Sequence, residues 1–81
     1  MGDGLSSREQ RMRELAERLR GIAEGANTSV ESLESLRPVV AGARLDRVEA
    51  YLFDGIVHDA RELRDRLTEF LEAIESRITE S

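Results

Sequence analysis

The sequence predicts an all-α fold: an antiparallel hairpin of two long helices with its turn near residues 37–41, dimerising into a four-helix bundle. Three observations lead there. Apolar residues return every three or four positions along nearly the whole chain, which lines one face of a helix and matches no strand pattern. The only proline, Pro38, interrupts that pattern once, near the middle. The chain has 81 residues and no cysteine, so it forms one domain at most, and no disulfide can supplement its small core.

The first helix is expected to start at Ser6. Ser6 with Glu9 and Ser7 with Gln10 both fit the S-x-x-[EQ] capping box, which satisfies amide groups left free at a helix start. Residues 1–5 are then a flexible lead-in, and 6–81 are a single helical-hairpin domain. Met1, Gly2 and Ser6 also fit a myristoylation pattern, but the motif is short enough to arise by chance. The apolar stripe runs through Met12, Leu15, Leu19, Ile22, Ala26, Val30, Leu33 and Leu36. Gly21, Gly25, Asn27, Thr28 and Ser29 weaken the helix between 21 and 29, and Thr28 with Glu31 offers a second capping box. A break there is one reading; a continuous helix is favoured because the stripe keeps its phase through 22, 26 and 30.

Arg37 precedes proline and is biased away from helical backbone, and Pro38 has no amide hydrogen, so the first helix is expected to end there. The stripe resumes as Leu45, Val48, Leu52, Ile56, Ala60, Leu63, Leu67, Phe70, Ile74 and Ile78, a second helix of nearly forty residues. So short a connection folds the helices back on each other, giving a rod of about 45 to 60 Å. Fraying is expected after Ile78, where glutamates crowd a helix C-terminus.

Ala50, Phe53, Val57 and Leu71 widen the second stripe beyond one coiled-coil seam, so one neighbouring helix cannot cover it. Leaving four or five large side chains in water forfeits about 1.5 to 3 kcal/mol each, which rivals the stability of a small domain. A second hairpin covers them. The expected interface comprises Leu15, Leu19, Ile22, Val30, Leu33, Val48, Leu52, Phe53, Ile56, Val57, Leu63, Leu67, Phe70 and Ile74. Elsewhere, Glu14 and Arg18, Arg61 and Asp65, and Glu62 and Arg66 are spaced as opposite charges four apart.

Composition narrows the function. A net charge of -5, with 36% charged residues and a pI near 4.9, repels nucleic acid and anionic membranes. All twelve basic residues are arginine, which fits coding from a GC-rich bacterial genome or selection against lysine chemistry. No apolar run spans a membrane and no cleavable secretion signal opens the chain, so the expected location is cytoplasmic, or outside the cell by a route needing no such signal. His58, with Asp54 and Glu62 one turn before and after, could be half of a metal site, but its ordinary reading is a surface histidine. Without a phosphate loop, zinc spacing or sheltered triad, no catalytic residue, metal or cofactor is expected.

"RELAERLRGI" in the first helix, Val40-Ala41-Gly42 at the corner and "ARELRDRLTEFLEAI" in the second resemble the WXG-type family of bacterial type VII secretion systems. The resemblance spans roughly residues 12–78, with Val40 where the family has tryptophan and no tyrosine after Leu71 for the Y-x-x-x-[DE] export signal. It implies hairpins that pair as homodimers or heterodimers into four-helix bundles and serve as secreted substrates or escorts. The expected function is therefore a non-enzymatic protein–protein interaction module of that kind. The alternative is an intracellular coiled-coil adaptor, such as an antitoxin or chaperone-like binder.

Overall fold

The computed structural model describes the backbone of residues 3–80 and the side chains of residues 7–79. Three helices follow one another: α1 over Asp3–Ser35, α2 over Arg37–Ala43 and α3 over Arg47–Glu80. Together α1 and α2 form one bent arm, and α3 is the other. The arms lie side by side in a rod of 65 × 15 × 15 Å. Its radius of gyration is 18.5 Å, against about 12 Å for a compact chain of this length.

α1 runs unbroken through Gly25 and Thr28, as the unshifted stripe implies. The Thr28 hydroxyl donates to the Glu24 carbonyl one turn back (3.0 Å), so it serves the helix instead of capping a new one. The helix begins at Asp3, ahead of the expected Ser6 start; the Ser6 side chain and residues 1 and 2 of the lead-in fall outside the described residues. At the far end, α3 is helical through Glu80, beyond the Ile78 limit expected for it.

The turn is not where proline suggests. Pro38 occupies the first turn of α2, where a missing amide hydrogen costs little, so it bends the arm without ending it. Leu36 marks the bend: its amide donates to the Leu33 carbonyl (3.1 Å) in a tightened turn, and its own carbonyl accepts from Val40 (2.8 Å). Val40, Ala41 and Gly42, expected at the corner, lie inside α2. The chain reverses over 44–46, with Arg44 left-handed at φ 55° and ψ 53°. A side chain strains in that conformation where glycine does not. Arg44→Gly should therefore raise stability by about 1 kcal/mol and the thermal midpoint by roughly 4 to 8 °C. Calorimetry reads the shift; an unchanged midpoint counts against strain at this corner.

Asp46 starts α3 with a reciprocal capping box. Its carboxylate accepts from the Glu49 amide (2.8 Å), and the Glu49 carboxylate accepts from the Asp46 amide (3.0 Å). Asp46→Ala should cost about 1 kcal/mol in urea unfolding, because the Glu49 amide loses its partner. A loss below a few tenths would mean that the cap does not hold the corner.

Two arms so joined meet in strict heptad order. On α1 the inward positions are Met12, Ala16, Leu19, Ala23, Ala26, Val30 and Leu33; on α3 they are Ala50, Phe53, Val57, Ala60, Arg64, Leu67, Leu71, Ile74 and Ile78. Ala16, Leu19, Val30, Val57 and Ile74 are fully buried, with Val57 only 1% exposed. Met12, Leu67, Leu71 and Ile78 pack around Ala16, Leu19 and Ile74, so the start of α1 lies against the end of α3 and the arms are antiparallel. Several of the inward positions are alanine, which lets two backbones approach closely but buries little side-chain area.

Candidate interaction face

The two flanks of this seam differ completely. On one flank, Arg20 pairs with Glu75, Arg61 with Glu34, and Arg37 with Asp54 at 3.7 Å, each bridging the bent arm and α3. Except for Arg37, these residues hold the heptad position beside the core on that side, where antiparallel helices bring such residues together. The Arg20 guanidinium, hydrogen-bonded to Glu75 and attracted by its charge, is held above its ordinary pKa. These pairs are partly exposed, so each contributes little to stability, but together they fix rotation and register.

The opposite flank is apolar. Leu15, Ile22 and Leu36 hold the equivalent outer position on the bent arm, and Ile56, Leu63 and Phe70 hold it on α3, with Leu45 and Leu52 alongside. All are exposed; Ile22 is 56%, Leu63 57% and Phe70 48% exposed. The result is a strip running most of the length of the rod, opposite the ion pairs.

The expected interface therefore divides in two. Leu19, Val30, Val57 and Ile74 are buried between the arms, and Leu33, Phe53 and Leu67 are half-buried there. Leu15, Ile22, Leu52, Ile56, Leu63 and Phe70 lie on the open strip, while exposed Val48 stands on the outer face, away from both. Sequence reasoning missed Ala16 as a core residue because an alanine carries little hydropathy signal; its heptad spacing to Ala23 and Val30 is the clue that was present.

Two surface pairings also change. Glu14 and Arg18 meet as expected at 3.0 Å. Arg61, however, reaches across to Glu34, leaving Asp65 to Arg64 at 3.2 Å; Glu62 faces His58 at 3.6 Å, leaving Arg66 without it. For Arg61 the partner lies across the seam; for Glu62 it is one turn back on the same helix. Asp54, directed to Arg37, is drawn away from the expected trio with His58 and Glu62. The trio whose ligand atoms gather within 4.8 Å is His58, Asp59 and Glu62, all exposed on a single turn. A shallow groove at the open end, between Arg13, Arg20, Glu75 and Ile78, is walled by one of the ion pairs already described. Among the described residues no polar or charged side chain is buried, and none of the helices is long and apolar enough to cross a membrane.

Comparison with family models, with curated proteins and with solved structures finds no match to this chain.

Proposed function

We propose that this chain is a non-enzymatic protein–protein interaction module that binds a similar helical hairpin, as a homodimer or heterodimer, to complete a four-helix bundle. The unpartnered apolar strip around Ile22, Ile56, Leu63 and Phe70 carries the reading. Its cost is visible in the total surface. The chain exposes 6472 Å², where a compact monomer of this mass exposes roughly 4,900 Å². The excess, on the order of 1,500 Å², comfortably exceeds the roughly 800 Å² that each partner contributes to a standard interface. With no sheltered polar group among the described residues, the chemistry supported best is burial rather than catalysis.

Light scattering on the chain alone, and on the chain co-expressed with its genomic neighbours, tests this reading. A complex of two hairpins is the expected result. A single chain that melts cooperatively at high concentration without a companion overturns it. The resemblance to WXG-type hairpins extends the proposal to a substrate or escort of type VII secretion. Appearance in culture medium only when that apparatus is active is the corresponding expectation.

A further inference from the structure

Resting on that reading, and naming the partner it leaves open, we propose that the strip is covered by a second copy of this chain, with α3 packed antiparallel on α3 about a two-fold axis at Leu63. Three features of α3 point to this arrangement. Leu63 stands at the middle of Arg47–Glu80, so two α3 helices crossing there overlap along their whole length. Ile56 and Phe70 lie one heptad to either side of it. A two-fold axis through Leu63 therefore sets Leu63 against its own copy and Ile56 against the other copy's Phe70, twice over, which is the reciprocity an isologous interface demands.

The third feature is charge. Asp59 and Arg66 lie in the adjacent heptad row, beside the apolar residues, and neither has an ion-pair partner among the described residues. Their spacing about Leu63 brings Asp59 of one copy against Arg66 of the other, again twice. In the same row Leu52 meets Ala73, so a large side chain faces a small one. The ion pairs from Arg20 to Glu75 and from Glu34 to Arg61 set the level of the bent arm, placing Gly25, Ser29 and Ser32 beside Phe70, Arg66 and Leu63. Nothing lies within 4 Å of a Cβ built on Gly25. Small residues at that level leave room for the second copy's first arm. A parallel pairing instead sets Asp59 against Asp59 and Arg66 against Arg66.

Sedimentation equilibrium of the full chain tests both partner and register. The wild type should be a dimer, and Asp59→Arg and Arg66→Asp should each weaken it about tenfold or more, since each turns two attractive pairs into repulsive ones. Mixing the two variants one to one should restore association, because each reversed charge then faces its opposite in the other chain. Both positions are exposed, and circular dichroism confirms that the helices persist.

Because the chain has no cysteine, single cysteines report register directly. Leu63→Cys should form a disulfide with itself on mild oxidation; Ile56→Cys and Phe70→Cys should not do so singly, but should link when mixed. A dimer indifferent to both charge reversals, or one in which Ile56→Cys links to itself, overturns this arrangement while leaving the interaction role standing. A monomer without a cooperative melt overturns the second copy as occupant but not a different hairpin. A cooperatively melting monomer overturns both.

Discussion

Replacing Val57 by aspartate is expected to abolish the cooperative fold of the hairpin. Val57 is the most deeply buried large side chain described, at an inward heptad position of α3. Among the described residues no polar or charged side chain is buried, so no buried cation stands ready to pair with a carboxylate there. Burying it unpaired costs about 3 to 5 kcal/mol, close to the whole stability of a small domain. Helical content and the thermal transition, followed by circular dichroism, should collapse together. Val57→Ala removes volume without adding charge and should cost about 2 kcal/mol, leaving a weaker but still cooperative transition. If Val57→Asp melts like the wild type, α1 and α3 do not pack along this seam.

Leu63→Glu is expected to do the opposite: the hairpin persists and its partner is lost. Leu63 lies less than two turns further along α3 but on the open strip, 57% exposed, so the single chain accommodates glutamate there at little cost. Across an interface the same change buries charge against a leucine. A Leu side chain is worth about 1.5 to 3 kcal/mol on burial, so in a two-fold dimer the dissociation constant should rise at least about a hundredfold. Light scattering reads the association and circular dichroism confirms the retained helix. Should Leu63→Glu leave association unchanged, the strip is not the docking face.

These contrasting variants lie six residues apart on one helix, and hydropathy alone does not tell them apart. Both belong to apolar repeats visible in the sequence, as do Phe53 and Ile74 of the inner row and Ile56 and Phe70 of the outer. That there are two rows on α3, and that one neighbouring helix cannot cover both, was legible from their width. Which row faces α1 was not. The first helix offers Leu15 and Ile22 as readily as Ala16 and Ala23, and by size alone the larger pair looks like core. The smaller pair faces inward because alanine admits a close backbone approach, and because this rotation brings Arg20 to Glu75 and Arg61 to Glu34 on one flank. Such pairings join residues far apart in the chain, so no local pattern announces them.

The corner divides in the same way. Proline's missing amide hydrogen is a local fact, but it bends or ends a helix depending on whether the turn that follows can form. Here α2 continues to Ala43, and the signal actually used is Asp46 with Glu49, a capping box written with aspartate in place of serine or threonine. The left-handed Arg44 has no sequence marker, since the residue type is one that the conformation disfavours.

By itself the sequence determined the helical class, two amphipathic arms and an apolar surface too wide for one partner, because helix periodicity and side-chain volume are properties of neighbouring residues. Tertiary structure alone decided the rotation of one arm about the other, and with it which leucines are core and which are left facing water. The physical reason is that rotation is fixed by backbone approach and charge pairing summed across two helices, quantities that exist only once both are side by side.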